Sequence, residues 1–342
     1  MPTDPLYEDS IAHVLDHIYL QVGDNMVEKF AAQSKITADD IHLITGAFRG
    51  IVSAIDGSNA TIAESGGFAL AAIRAAHTTF SGGERLSRAI TPLRIVTIGP
   101  EHENEDYPIL MKECFGIVPA KGLKNKDVLR VSAVLRDTLE YGVALSQVRT
   151  LPEGSLLLLD GTFRVTDANH DPVMQEIIQT AQNRGVLIAA IAKRTNAMWG
   201  GVHPLLPAMA GLAQKYGIRG PWWIKVDERI PDSTTYHKDK LGDLHVASFH
   251  PSKNVPFKLE LPHGIADQTI EMIMCAIASC ADDGRIPGYP YPLLDAHRTV
   301  VIDEPLIERA RQDLMKGFSV RGLNKEMFDM LFGDLHDDFE RY

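Results

Sequence analysis

Residues 50–58 read Gly-Ile-Val-Ser-Ala-Ile-Asp-Gly-Ser. The apolar residues from Ile51 to Ile55 form a run too short for a helix, and the Asp-Gly pair behind them is a turn signal. The stretch therefore predicts a buried strand that ends at Asp56 and places its carboxylate at the edge of a sheet.

A second stretch repeats this pattern about a hundred residues later, where residues 155–162 read Ser-Leu-Leu-Leu-Leu-Asp-Gly-Thr. Two strands that both end in Asp-Gly can direct Asp56 and Asp160 at one point. Carboxylates held close together repel, so proteins keep such a pair mainly where a divalent cation neutralises it. We expect a metal-dependent site here. The alternative is that each Asp-Gly only turns the chain after a core strand.

The composition is that of a globular protein, with 342 residues, 45% hydrophobic content and a formal charge of -11. No run of eighteen apolar residues occurs, and the first residues are acidic, which predicts a cytoplasmic protein without a membrane segment. The three cysteines have no metal-type spacing. The negative charge argues against a surface that is coated with nucleic acid, but it is compatible with a confined basic channel.

The order of elements predicts an α/β fold with a mixed sheet. Residues 68–80 and 94–98 continue the Asp56 strand into an antiparallel meander, although 68–80 also fits a helix. A strand, a helix over 172–184 and a second strand ending at Lys193 predict a parallel crossover, which places Lys193 at the same edge as Asp160.

The predicted helix over 127–148 carries Glu140 beside its apolar stripe, either as a third ligand or as an ordinary surface glutamate.

Carboxylates at these positions suit two-metal phosphodiester hydrolysis, and oxygen ligands favour Mg²⁺ or Mn²⁺ over zinc. A cation at Lys193 would stabilise charge at a scissile phosphate, although the end of a strand is also an ordinary place for a solvated lysine. The chain has no Gly-x-x-x-x-Gly-Lys-Ser/Thr loop, which excludes an ATPase built on that loop. It also lacks a Gly-x-Ser-x-Gly elbow, which argues against a serine hydrolase.

Four motifs together resemble the NurA nucleases. They are Ile-Asp-Gly-Ser at 55–58, Leu-Leu-Asp-Gly-Thr at 158–162, the strand ending at Lys193, and Gly-Tyr-Pro-Tyr-Pro-Leu-Leu-Asp-Ala-His at 288–297. The match extends from about Gly50 to His297 and is more specific as a combination than any single motif.

The resemblance implies an RNase H-like core and an Mn²⁺-dependent or Mg²⁺-dependent deoxyribonuclease with two ions. It assigns metal aspartates to Asp56 and Asp160, the helix glutamate to Glu140, and the late tyrosine and histidine to Tyr289 and His297. The spacing from Glu140 to the following strand is slightly longer than in the family. The implied metal ligands are Asp56, Glu140, Asp160 and His297, and the implied catalytic set adds Lys193 and Tyr289.

The resemblance also implies exonuclease and single-strand endonuclease activity in DNA end resection and double-strand break repair. The implied partners are single-stranded DNA, DNA ends, a second copy of the chain in a homodimer and a hexameric translocase of the HerA type. Two alternatives remain open: a non-catalytic DNA clamp or translocase partner subunit, and an RNase H-like ribonuclease. An assay for digestion of DNA separates the first alternative from a nuclease, and RNA–DNA hybrids test the second.

We expect three regions: a helical N-terminal arm over 1–48, the nuclease domain over 49–300 and a helical C-terminal tail over 301–342. In the tail, an apolar stripe at four-residue spacing predicts a helix face that is buried either on the chain's own core or against a second subunit or the translocase. Its members are Leu323, Met327, Leu331, Leu335 and Phe339.

A basic segment is either the DNA-binding surface or a solvated loop. It consists of Lys121, Lys124, Lys126 and Arg130.

Overall fold

The computed structural model describes residues 5–22, 25–66, 68–99, 105–123, 127–192, 197–226, 229–230, 241–322 and 325–332. The strands are β1 (His42–Leu43), β2 (Ile51–Glu64), β3 (Ala69–Ser81), β4 (Glu84–Ile90), β5 (Arg94–Ile98), β6 (Leu156–Asp160), β7 (Leu187–Ala192), β8 (Met198–Trp199), β9 (His203–Pro204), β10 (Trp222–Lys225), β11 (Gly242–Ser248) and β12 (Pro256–Pro262). The helices are α1 (Pro5–Val22), α2 (Met26–Ser34), α3 (Asp106–Phe115), α4 (Val128–Thr150), α5 (Asp171–Asn183), α6 (Leu205–Lys215), α7 (Asp267–Ala278), α8 (Tyr291–Val300), α9 (Glu304–Val320) and α10 (Lys325–Phe332).

One large mixed sheet runs through the described part of the chain in the order β1-β10-β11-β12-β7-β6-β2-β3-β4, with β5 also paired to β3. Strands β2, β3 and β4 form an antiparallel meander. Strands β6 and β7 lie parallel to β2 on its other side, joined by the predicted crossover through α5. This arrangement is an RNase H-like α/β fold, so the predicted fold class is confirmed.

Helices cover both faces of the central strands. Ile55 belongs to a core with Leu157 and Leu159 beneath α4 and α5. Val52 and Ala54 alternate with Ile55 and pack instead into the core beneath α7 and α8. Because successive side chains of a strand point to opposite faces, Asp56 lies on the α8 side of the sheet.

Two details of the predicted meander differ from the structure. Strand β2 is 14 residues long and does not end at Asp56, so the Asp-Gly pair there is not a turn. The third strand of the meander is β4, which the sequence analysis missed. All seven residues of β4 are exposed, so β4 carries no apolar run that would have marked it.

The helices outside the central sheet attach in different ways. Phe30 of α2 packs against Trp199 with ring centroids 5.1 Å apart. In the C-terminal part, Phe328 is buried and Phe332 meets Phe68 edge to face, 5.3 Å between centroids. Met327 and Leu331 of the predicted apolar stripe are exposed on this chain, because α10 packs on it through the neighbouring phenylalanines. Packing of the stripe on a second subunit or on a translocase stays a prediction.

The remaining stripe positions, Leu323, Leu335 and Phe339, lie outside the described residues. No helix in the described ranges is long and apolar enough to cross a membrane.

Candidate active site

A cavity of about 660 Å³ opens where β2, α4, the end of β6 and α8 meet. Its volume is in the range of ligand-binding clefts. The acidic, arginine and histidine side chains that line it are Asp56, Arg136, Asp137, Glu140, Asp160, Arg164 and His297. All four residues that the resemblance assigned to metal binding are therefore among the residues around one cavity.

Asp56 and Asp160 are neighbours across two parallel strands. Ile55 pairs with Leu159 in the β2–β6 register, so the two aspartates that follow lie side by side. Asp160 is the last residue of β6, as predicted. The chain turns sharply behind Asp160, because Gly161 has a φ of +107° and its N–H donates to the carbonyl of Ile191 at 2.8 Å.

Asp56 is buried, with 4% of its surface exposed, and both of its oxygens have partners. Oδ1 accepts the N–H of Gly57 at 2.9 Å, and Oδ2 lies 2.8 Å from Nδ1 of His297. A buried carboxylate next to an imidazole favours the ring form that carries its proton on Nδ1. Nε2 of the half-exposed His297 ring is therefore the atom that can face a ligand.

Helix α8 is fastened to the meander at several points, which fixes His297 over β2. Thr78 of β3 donates its hydroxyl to the carbonyl of Pro292 at 2.9 Å, and Arg74 donates to the carbonyl of Val300 at 2.9 Å. Arg85 of β4 forms an ion pair with buried Asp295 at 3.0 Å. These contacts connect the helix to β3 and β4 at its beginning, middle and end.

Gly57 lets the α4 side chains approach the strand closely. A Cβ at this position would lie 2.9 Å from Oε2 of Glu140 and 2.8 Å from Cγ of Arg136, closer than real side chains tolerate. The glycine after Asp56 is therefore required for close packing within a strand rather than for a turn. This is the physical reason why the turn predicted at Asp56 is wrong.

Glu140 is 6% exposed and lies among other charges. Burial raises the pKa of its carboxyl well above the usual glutamate value; the Arg136 guanidinium opposes this shift, while Asp56, Asp137 and Asp160 add to it. A carboxyl with these surroundings resists ionisation unless positive charge is supplied. The charge of Glu140 thus depends strongly on its neighbours.

Among the described residues, Arg136 brings positive charge to this cluster. Its Nε donates to Oδ1 of Asp137 at 3.0 Å, and its Nη2 donates to the same oxygen. The other oxygen of Asp137 accepts the hydroxyl of Thr166 at 2.8 Å. This chain of bonds connects α4 to the loop that follows Asp160.

A second buried ion pair supports the same loop from β12. Glu260 is 2% exposed and accepts the N–H of Phe163 at 2.8 Å. Nζ of Lys258 lies 3.1 Å from the other oxygen of Glu260, and only 12% of the Lys258 side chain is exposed. Together with Thr166, this pair holds the segment that carries Arg164 into the cavity.

Tyr289 lies next to the site rather than in the cavity wall. The residue is 3% exposed, and its ring packs against Phe257 with 5.8 Å between centroids. Burial raises the pKa of its hydroxyl, and the charges of Asp160 and Asp56 raise it further. Lys193, also assigned to the catalytic set, lies outside the described residues.

The donor set suits a hard divalent cation, because carboxylate oxygens and one imidazole are ligands that Mg²⁺ and Mn²⁺ accept. Within the described ranges, however, no three His, Cys, Asp or Glu side chains converge closely enough to hold an ion as they stand. Asp56 is engaged by His297, and Asp137 by Arg136 and Thr166. Side-chain rotation about Asp56, Glu140 or Asp160 would be needed to gather the ligands.

Four residues described above were not predicted from the sequence: Arg136, Asp137, Thr166 and Glu260. Arg136 and Asp137 each lie about one turn of α4 before Glu140, four and three residues away, so both flank it on the helix surface. Such spacing also occurs in ordinary surface ion pairs, so the sequence gives no means of telling the two apart. Glu260 alternates with apolar neighbours in β12, which resembles the exposed face of a strand.

Comparison with known proteins finds similarity in structure but not in sequence. No family model and no curated protein matches the chain. The crystal structure of the NurA nuclease from Sulfolobus solfataricus has a TM-score of 0.61 at 13% identity, covering 93% of this chain and 98% of that one. A structure of NurA bound to dAMP and manganese has a TM-score of 0.52 at 12% identity, covering 87% and 95%. A structure of NurA with manganese scores 0.51 at 13% identity, covering 91% and 98%.

These superpositions extend over nearly the whole of both chains. The resemblance to the NurA nucleases is therefore confirmed for the fold, which is what a likeness at such low identity establishes.

Proposed function

We propose that this protein is a divalent-metal-dependent nuclease that hydrolyses phosphodiester bonds of DNA at the cavity between β2, α4, β6 and α8. The observation that carries the proposal is the meeting of Asp56, Glu140, Asp160 and His297 around one cavity. These residues come from four separate elements, and the sequence motifs singled them out independently of the fold. The same fold occurs in NurA structures that contain manganese and dAMP.

The residues present fit a metal site by their chemistry. Asp56, Glu140 and Asp160 would supply oxygen ligands, and His297 would supply Nε2. A cation bound there would offset the repulsion between the carboxylates and would acidify a water molecule for attack on phosphorus. In the arrangement seen here, Asp56 holds the His297 ring as an outer carboxylate orients a ligating histidine, and Asp56 would rotate away from Nδ1 to bind the ion itself.

Other groups of the cavity would handle the substrate. Arg164 offers a guanidinium, whose flat array of donors matches phosphate oxygens. Arg164 lies in the loop that follows Asp160. The ion pair of Lys258 and Glu260 holds the backbone of this loop through the N–H of Phe163, so Arg164 is already positioned before a substrate binds. We include Lys193 and Tyr289 in the proposed catalytic set on the family resemblance.

The finer parts of the proposal concern substrate and partners. We propose exonuclease and single-strand endonuclease activity, preferably with Mn²⁺ and with two ions, acting in end resection and double-strand break repair. We further propose a homodimer that works with a HerA-type hexameric translocase. Light scattering and co-purification with such a translocase test these two statements separately from the chemistry.

The test of the central proposal is a digestion assay with purified protein. End-labelled single-stranded DNA, blunt duplex DNA, RNA and an RNA–DNA hybrid are incubated with Mn²⁺, Mg²⁺ or EDTA. Cleavage of DNA that requires the cation supports the proposal. Cleavage confined to RNA or to the hybrid would show that the protein is a ribonuclease. Tight DNA binding without any cleavage would support a non-catalytic clamp.

A further inference from the structure

Arg136 occupies an unusual position for a residue of a metal site, because it brings a positive charge into the wall where a cation would bind. It lines the cavity together with Asp56, Glu140 and Asp160. Its side chain is 31% exposed, so most of it is enclosed by protein. Burying a guanidinium is costly unless negative groups surround it, and here carboxylates do.

The direction of the Arg136 side chain is set by Asp137, which in turn is held by Thr166. Its stem passes close to Gly57, where a Cβ would lie within 2.8 Å of Arg136 Cγ and 2.9 Å of Glu140 Oε2. The Arg136 stem and the Glu140 carboxylate therefore lie over the same backbone position of β2. This position is adjacent in sequence to Asp56.

Burial lowers the pKa of the Arg136 guanidinium, but the charges of Asp137, Glu140 and Asp56 raise this pKa by more. Burial raises the pKa of the Glu140 carboxyl, and the charge of Arg136 lowers it. Coulomb energies between charges a few ångströms apart in a partly buried site are large compared with RT.

We propose that Arg136 is a resident counter-ion of the carboxylate cluster, which competes with divalent cations for Glu140 and Asp56 and so limits the affinity of the site for metal. This inference rests on the proposed metal-dependent function. It assigns Arg136 a positioning role, because the guanidinium acts through the carboxylates rather than on the reacting atoms.

The proposal predicts a change in metal affinity that is opposite to the usual one. Removal of a residue that helps to build a metal site normally weakens metal binding. Removal of a competing positive charge should strengthen it, because the cation then meets an uncompensated cluster. The same removal should make the metal-free protein less stable, because the carboxylates repel each other without Arg136.

The test measures metal binding without DNA. Mn²⁺ is titrated into wild type, Arg136→Gln and Arg136→Lys by calorimetry, and unfolding temperatures are recorded with EDTA and with saturating Mn²⁺. We expect Arg136→Gln to bind Mn²⁺ roughly tenfold more tightly. Its unfolding temperature should be lower than wild type in EDTA and should rise more on adding Mn²⁺. Arg136→Lys keeps the charge and should remain close to wild type.

Arg164→Gln is the matched control, since it removes the same charge from the same cavity wall at a residue that, in the described structure, has no side-chain hydrogen bond to these carboxylates. It should change Mn²⁺ affinity by much less than Arg136→Gln. Unchanged or weaker Mn²⁺ binding by Arg136→Gln, with normal binding by wild type, would overturn the counter-ion role alone. Absence of Mn²⁺ binding by wild type would overturn the proposed function as well.

A measurement on the wild-type protein covers the case in which Arg136→Gln does not fold. The Nε–H resonance of Arg136 is identified from its loss in Arg136→Lys and is followed during titration with diamagnetic Mg²⁺. If the cation displaces Arg136 from the carboxylates, the chemical shift of this resonance changes in proportion to the fraction of protein with Mg²⁺ bound. The resonance of Arg164 should change less. A signal that stays in place at saturation would contradict the proposal.

Discussion

Nδ1 of His297 lies 2.8 Å from Oδ2 of Asp56, although 241 residues separate them in the chain. One partner is in the middle of the longest described strand, and the other is on a helix that is fastened to β3 and β4 by side-chain bonds. The contact therefore joins the first and the last of the motifs into one unit. An imidazole held in this way presents Nε2 in a defined direction.

We predict that His297→Ala reduces metal-dependent DNA cleavage by about 10²- to 10⁴-fold, the range for loss of a positioned acid–base group. Mn²⁺ affinity should fall as well, because the ring nitrogen is also a ligand in the proposal. Cleavage rates and calorimetric Mn²⁺ titration check the two effects. His263 makes a similar contact with Asp243 at 2.7 Å outside the cavity wall, so His263→Ala is the control and should leave both values near wild type.

Gly57→Ala should impair the site without removing any functional group. The added methyl would force Glu140 and Arg136 away from β2, and overpacking of this kind costs about 1–3 kcal/mol of stability. Displacement of catalytic groups by about 1 Å can reduce rates by about 10²-fold. Gly66→Ala, where a Cβ meets nothing within 4 Å, is the matched control. Equal activity of the two variants would show that the close approach at Gly57 is unimportant.

The basic segment before α4 should contribute to DNA affinity. The N–H groups of Ala120 and Lys121 donate to Asn169 at 3.0 and 3.4 Å, which places this loop next to the segment between Asp160 and α5. Lys124 and Lys126 lie outside the described residues. We predict that combined charge reversal at Lys121 and Arg130 weakens DNA binding and lowers its dependence on salt by about one unit of slope for each lost phosphate contact.

Binding isotherms at several salt concentrations measure this effect. Lys316→Glu on α9 is the control, because this lysine is exposed and forms an ion pair with Asp313 at 3.2 Å. If both variants bind DNA as wild type does, the segment is a solvated loop.

Stability should fall in mild acid because of His245. The ring is fully buried on β11, and burial lowers its pKa from the usual 6.5 to about 4. The unfolded chain therefore binds a proton between these values that the folded protein does not, so folding stability is lost as the pH falls from 6.5 towards 4. The loss from this group is at most about 1.4 kcal/mol per pH unit.

Denaturant unfolding at pH 7, 6, 5 and 4 tests this statement. The difference in unfolding free energy between wild type and His245→Phe should shift in favour of the variant as the pH falls through this window. A constant difference across the window would mean that His245 does not titrate as its burial indicates.

The sequence predicted those features that depend on short apolar runs and their order. The strand that ends at Asp160, the crossover to β7 and the helix that carries Glu140 follow from local patterns. The role of Gly57 did not, because an Asp-Gly pair has the same appearance in a turn and in a strand that another helix approaches. Strand β4 was missed because none of its residues is buried.

The parts of the site that could not be predicted from the sequence depend on contacts between distant segments. Asp137 becomes significant only because Thr166 of another loop binds it, and Glu260 only because it accepts the Phe163 amide. His297 was identified by its resemblance to a family motif, whereas its contact with Asp56 required the fold. Charged residues placed on a helix or strand do not indicate by themselves which of them will be buried.

The most direct test of the proposed nuclease site is the single-turnover cleavage rate of Asp160→Asn on end-labelled single-stranded DNA with Mn²⁺. The substitution keeps the size of the side chain and removes the charge that would bind the cation. Asp283→Asn, at a carboxylate that lines a different cavity, is the control. Loss of cleavage in Asp160→Asn, with retained folding and with normal rates in wild type and Asp283→Asn, is the predicted result. Cleavage by folded Asp160→Asn at the wild-type rate would contradict the assignment of this cavity as the active site.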